Sequence, residues 1–399
     1  MFLHFAFRIS LMNDLFWLTI LLFIVAAALR SDLFFYLLYV VVGLQVLARL
    51  WLRQSARRLH WRRRAPAAAF PGERMAVELE LTNGGLLPLP WLVLHESLPP
   101  SMHNPPMIRE VLSLGAGERR VLTYTLVGQR RGYYKIGPLT LQTGDVLGLR
   151  ERTLNDLEPH AVTIYPPVLS LAELGLPASL PYGTLAATRQ LFSDPARPSG
   201  VRPYQAADGV RRIDWKTTAH AGAPQVRRYQ PAISLETLIA LAFSRDEYGG
   251  RYAYDIMERA LVAAASVAAY LAARRQPIGL CTTGYDPQIG AQATSLAVAT
   301  GRAHLIEVLG TLGRLDIASY GALPELIWQA GARLGWGSTV VAITGQRGAE
   351  LVAALLPLKR RGLNVALIIT EPSAEDLGLP RRHGIRTFGL WRDGRPSVA

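Results

Sequence analysis

Two apolar runs separated by three residues constrain this chain more than any other feature. Leu15 to Leu29 carries no charge, and Leu33 to Leu52 carries only Arg49 near its end. A membrane-spanning helix needs about 20 mainly apolar residues. The second run meets that length, and the first does so if it extends into Ile9 to Met12 or to Ser31. With only Arg30-Ser31-Asp32 between them, the two helices are expected to form an antiparallel hairpin. Arg49, Arg53, Arg57, Arg58, Arg62, Arg63 and Arg64 follow the second run, and no Asp or Glu occurs from position 33 to 72. Guanidinium groups do not readily cross a bilayer, so the positive-inside rule predicts that this flank and everything after it is cytoplasmic. The expectation is a two-pass protein of the inner (cytoplasmic) membrane with both termini in the cytoplasm. Two competing readings explain less. A cleaved leader ending near Ala26-Ala27-Ala28 leaves the second run unaccounted for, and a nucleic-acid patch is not needed where an adjacent span already explains the arginines. The expected partner is therefore membrane and not nucleic acid.

The 399 residues leave room for two globular domains beyond the hairpin. Half of the residues are apolar and 18% are charged, as in a folded protein. The net charge of +13 is carried almost wholly by arginine, since Lys135, Lys216 and Lys359 are the only lysines. Cys281 is the single cysteine, which excludes an internal disulfide framework and a multi-cysteine zinc site.

The pattern divides the chain into four stretches. Residues 1–64 are the transmembrane hairpin with a basic juxtamembrane segment. Residues 65–166 are proline-rich and alternate apolar with polar, as in Met75 to Thr82, Trp91 to Ser97, Arg119 to Gly128, Lys135 to Gln142 and Val162 to Tyr165; short strands at this spacing predict a small β-sandwich-like domain. Residues 167–233 are an irregular bridge. In residues 234–399 strands (235–243, 277–283, 339–344, 364–370, 385–390) alternate with helices (254–274, 302–313, 323–334, 349–361), which predicts a parallel sheet covered on both faces, a doubly wound α/β domain. The fold class expected is thus α+β multidomain.

Enzymatic motifs are missing. The chain has no phosphate loop, no nucleophile elbow, no zinc-protease helix and no dinucleotide glycine fingerprint. Cys281 falls inside an apolar strand, where a lone cysteine is a small hydrophobe. The reading is a non-enzyme without a cofactor. The densest local text is Gly200 to His220, which gathers Arg202, Tyr204, Asp208, Arg211, Asp214, Trp215 and Lys216. Interleaved acids and bases form arginine–carboxylate pairs, with Trp215 expected as the packing anchor. Such a segment serves either as a structural clamp or as a contact surface for a partner protein. A hydrolase or transferase using its carboxylates is the remaining alternative.

This segment resembles the bacterial domain-of-unknown-function family fifty-eight, whose pattern R-x-Y-x-x-G-D-x-x-R-x-I-x-W-x-x-[ST]-A-R is matched at Arg202, Tyr204, Asp208, Arg211, Ile213, Trp215, Thr218 and Ala219. Ala207 and His220 depart from it. Arg130-Arg131-Gly132-Tyr133 through Gly137-Pro138 to Asp145-Val146-Leu147-Gly148-Leu149 is similar to a second family text. The resemblance implies a von Willebrand factor A-like α/β domain, a MoxR-type AAA+ ATPase as companion and transglutaminase-like membrane proteins as frequent neighbours. It also implies a protein that binds others in complex assembly or maturation. Such A domains hold Mg²⁺ through D-x-S-x-S after the first strand. The positions here are Ala242, Ser244 and Asp246, with the leading carboxylate replaced by alanine, so a degenerate metal site is expected. A metal-dependent ligand-binding A domain is the alternative.

Overall fold

The structure, a computed structural model, describes residues 17–29, 32–146, 150–177, 193–205, 213–231, 236–249, 251–318, 323–345 and 348–391. It is a mixed α+β protein with an N-terminal pair of apolar helices and several sheets, and it divides into two compact units, Met1–Tyr165 and Pro166–Ala399.

The first unit opens with α1 (Trp17–Leu29) and α2 (Asp32–Arg57). The proposed extension through Ile9 to Met12 and the connection at Arg30-Ser31 lie outside the described residues. At 26 residues α2 is long and apolar enough to cross a membrane, about 39 Å of helix. Its large apolar side chains, among them Leu33, Tyr36, Tyr39 and Leu47, are exposed, which in water would be costly and in lipid is not. Gln45 donates to Thr19 Oγ1 at 2.8 Å, tying α2 to α1. This pair fits a membrane protein.

The arginine-rich stretch assigned by sequence to the juxtamembrane segment is in part a strand: β1 (Leu59–Arg64) pairs antiparallel with β3 (Arg74–Asn83), which pairs with β6 (Arg119–Val127). Arg63 is turned inward and donates from Nε to Glu96 Oε1 at 2.7 Å, while Tyr124 donates to Glu96 Oε2 at 2.6 Å. A second sheet has the order β5-β4-β8-β9, from Met107–Leu114, Leu89–Ser97, Leu139–Gly144 and Glu151–Asp156. Leu59, Leu79 and Leu81 of the first sheet and Leu92, Leu94 and Leu141 of the second share one buried cluster; alternation of apolar and polar residues sends one face of each strand into it. A third sheet joins β2 (Ala68–Ala69), β10 (His160–Ile164) and β7 (Gly132–Ile136). The single strand expected over Lys135 to Gln142 is two, because Gly137, at φ 107°, and Pro138, which has no amide to donate, interrupt the ladder.

In the second unit, β11 (Ser193–Pro203) and β12 (Gln225–Pro231) form an antiparallel hairpin around α3 (Trp215–Ala221), in a region the sequence presents as an irregular bridge. The larger sheet holds β13 (Thr237–Leu241), β14 (Ile278–Asp286), β15 (Ala291–Ala299), β16 (Thr339–Thr344), β17 (Asn364–Thr370) and β18 (Arg386–Leu390), in the order β15-β14-β13-β16-β17-β18. All neighbours pair in parallel except β15, which runs antiparallel on the edge. Every residue of β13 and β16 is buried, as in strands covered on both faces. The helices packed along the sheet are α4 (Ala253–Ala273), α5 (Arg302–Arg314), α6 (Leu323–Gly331), α7 (Gly348–Arg360) and α8 (Ala374–Arg382). α4 is also apolar enough to cross a membrane, yet 56% of its apolar window is buried, which makes it the core helix of this sheet. β15 and α8 are absent from the sequence reading: small residues in the one and a polar, proline-containing text in the other hide their periodicity.

Candidate functional site

The charged segment folds into a small arm. β11 and β12 pair Val201 with Arg227, Arg202 with Val226 and Pro203 with Gln225. Between the strands, Asp214 caps α3, accepting from the backbone N–H groups of Lys216 and Thr217 at 3.2 and 3.3 Å. A carboxylate at this position satisfies amides that the first helical turn leaves unpaired. Asp214 Oδ2 also accepts from Arg227 Nε at 2.8 Å, and the Gln225 N–H donates to Thr218 Oγ1 at 2.9 Å, so the helix is fastened to the returning strand at its N-cap and its middle. Gly222, at φ 68°, closes α3 in the left-handed region where glycine is favoured. The hydrogen bond from Arg227, followed by that from the Thr217 amide, holds the Asp214 carboxyl below its usual range.

Of the residues expected here, the structure brings together Arg202, Tyr204, Asp214 and Trp215; Asp208 and Arg211 lie outside the described residues. The Tyr204 N–H donates to the Pro224 carbonyl and Arg202 Nη1 to the Pro203 carbonyl. Trp215 is not the packing anchor its aromaticity suggests. It is 67% exposed, and no residue of α3 is buried. The helix meets β12 through Asp214 and Thr218 instead. Val226, 1% exposed, takes the anchoring place, bridged on one side by Arg202 and on the other by Ile213. Among the described side chains the arm bears Arg202, Lys216 and Arg227 against Asp214. Arg227 was missed in the sequence because it lies thirteen residues beyond its partner, with no motif linking the two.

The second candidate is the rim after β13. Ala242 and Ser244 are fully buried, and Asp246 sits in a 3₁₀ turn over Arg245–Glu247. The Ala242 carbonyl accepts from Tyr248 Oη at 2.8 Å. Burial raises the Tyr248 phenol above its usual range. Glu247, 5% exposed, accepts from Thr344 Oγ1 at 2.9 Å, and Thr370 Oγ1 donates to the Thr344 carbonyl at 3.1 Å. A side chain on Gly345 would strike the Glu247 backbone and the Tyr248 ring. The crevice at the carboxyl ends of β13 and β16 is therefore filled by protein. These residues do not fit a hard divalent cation: Ala242 offers no side-chain oxygen, the Glu247 carboxylate faces Thr344, and no group of three acidic, histidine or cysteine side chains suited to a metal occurs among the described residues. The carboxylate oxygens of Asp246 and the Ser244 hydroxyl are buried here as well, but it is the neighbouring Glu247 that meets the sheet, through Thr344. Cys281 is buried in β14, and burial pushes its thiol up to about 12.

Residues 200–380 match the family described as "Protein of unknown function DUF58". Over that stretch, a little under half of its length, the chain is similar to the DUF58 family. The matched region begins in the arm and runs through the larger sheet as far as α8, short of β18. Among curated proteins, the chain is similar to the uncharacterized protein YeaD of Bacillus subtilis, 24% identical over 236 residues, 55% of this chain and 54% of YeaD. The uncharacterized protein Rv1480 of Mycobacterium tuberculosis is 28% identical over 131 residues, 33% of this chain and 40% of that protein. The chain thus spans about half or less of the length of these relatives. Among solved structures, the CARDB domain of the PF1109 protein of Pyrococcus furiosus is similar at 17% identity and a TM-score of 0.19, over 27% of this chain and 87% of that one, too slight to bear on function.

Proposed function

We propose that this protein is a membrane-anchored cytosolic adaptor, presenting clients to a MoxR-type AAA+ ATPase in complex assembly or maturation. On this reading α1 and α2 form a two-pass anchor in the inner membrane with both termini cytoplasmic, supported by the arginine-rich flank of α2. The larger sheet is read as a doubly wound, von Willebrand factor A-like domain. Its strands, counted from β13, lie in the order 3-2-1-4-5-6 with the third antiparallel, an order that fits a doubly wound sheet. The filled rim supports a partner-binding role without a metal. ATP hydrolysis belongs to the partner.

The exposed Trp215 on a basic arm carries the proposal. Tryptophan and arginine dominate the energetics of protein interfaces, and a two-stranded hairpin with little core of its own is marginal in water unless something covers it. The test is co-purification from membranes. The native chain recovers the ATPase, and Trp215→Ala, which removes an exposed side chain, loses it. Unchanged recovery with Trp215→Ala confines the arm to a structural role, and no ATPase with the native chain removes the partner.

A further inference from the structure

The first unit carries a surface that neither the anchor nor the arm accounts for. The loop between β3 and β4 descends along α2. Gly84 donates its N–H to the Arg58 carbonyl at 2.8 Å, Gly85 lies against Arg58 and Gln54, and the Pro88 carbonyl accepts from Trp51 Nε1 at 3.2 Å. Its successive residues therefore step back along the helix from position 58 to position 51, toward the apolar stretch. Between Asp32 and Trp51 lie about 29 Å of helix, close to the thickness of a hydrocarbon core, about 30 Å. Pro88 is thereby held at the level where the span ends.

At that level the loop presents Leu86, 85% exposed and bearing no packing duty. A second exposed apolar side chain lies at the same end of the sheet. Leu92 pairs with Thr143, so the start of β4 and the end of β8 share one end of the sheet, and Val146 just past β8 is 60% exposed. α2 itself packs on β8 and β9 with Ala48, Leu52, Ser55 and Ala56 buried, which fixes the sheet to the helix. Arg49 and Arg53 on α2 are exposed, and the Arg150 carbonyl accepts the Asp145 N–H. Burial, and after it the charge of Arg49, holds the Arg150 guanidinium below its ordinary value, so two cations crowd this end of the sheet.

We propose that Leu86 and Val146 insert into the interfacial layer of the bilayer beside α2, with Arg49, Arg53 and Arg150 meeting anionic lipid headgroups. Apolar side chains rimmed by guanidinium groups suit that layer, where the apolar tips enter the acyl boundary and the cations face phosphates. The β-rich domain is then seated on the membrane rather than suspended from it. This inference rests on α2 being a span.

The test uses the full chain in vesicles of phosphatidylcholine and phosphatidylglycerol, with a fluorophore on single cysteines at Leu86→Cys, Val146→Cys, Val40→Cys within α2, and Met107→Cys. Met107 pairs with Ser97 at the opposite end of β4. Brominated acyl chains are expected to quench labels 86, 146 and 40, and aqueous iodide to quench only 107. If iodide reaches 86 and 146 while bromolipid quenches 40, the seating is overturned and the anchor stands. Labels 86 and 146 reached by neither quencher point to a protein cover and also overturn it. Iodide reaching 40 removes the anchor itself, and the inference with it.

Discussion

Arg227 and Asp214 meet at 2.8 Å across the arm, and the same carboxylate caps α3. One side chain therefore holds both the helix that carries Trp215 and its attachment to β12. Asp214→Ala is expected to release α3, seen as faster hydrogen exchange at the Lys216 and Thr217 amides with the larger sheet unaffected. Asp214→Asn keeps an acceptor for the cap and loses the ion pair, so its exchange rates fall between the two.

The same pair sets a pH dependence. Asp214 titrates below its unfolded value, which is about 3.9. Its contribution to the arm is then fully present above that pH and is lost as pH falls through the lower, folded value. Trp215 fluorescence and amide exchange in the arm should be constant from neutrality down to about pH 5 and change only under more acid conditions. A transition near neutrality would assign the arm to another group.

At the filled rim, Thr344→Val deletes the hydroxyl that Glu247 accepts from. Leaving a buried carboxylate short of a donor costs about 1–3 kcal/mol, measurable by denaturant titration. Millimolar Mg²⁺ should leave the melting temperature of the native chain unchanged, because Ala242 supplies no ligand. A clear upward shift would restore the metal-dependent alternative.

In the first unit, Arg63 and Glu96 are 7% and 0% exposed as side chains. Tyr124 shares the carboxylate, and burial, with the Glu96 charge after it, raises its phenol above the usual range. Arg63→Ala strands a buried charge and should destabilise the unit by about 3–5 kcal/mol. Pairing Arg63→Met with Glu96→Leu should recover most of that loss.

Much of this was legible in the sequence where a period was strong. The apolar runs gave α2, and continuous apolar text gave β13, β16 and β17 almost to the residue, because strands buried on both faces leave no polar alternation to misread. Alternation in Met75 to Thr82 gave β3. The arm was not legible as structure: three prolines in β11 (Pro195, Pro198 and Pro203) mimic a loop, and its organising pair spans residues whose proximity only the hairpin creates. Arg63 looked like one more juxtamembrane cation, since nothing local to it reveals Glu96 on another strand. Aromaticity at Trp215 signals burial, while α3 is held to β12 through Asp214 and Thr218 and leaves Trp215 exposed.

The most direct measurement is photo-crosslinking from position 215 in intact membranes, with a photoreactive amino acid replacing Trp215. An adaptor arm gives an adduct containing a MoxR-type AAA+ ATPase, lost when Asp214→Ala releases α3. Crosslinking to water alone, or to this chain's own residues, contradicts the account.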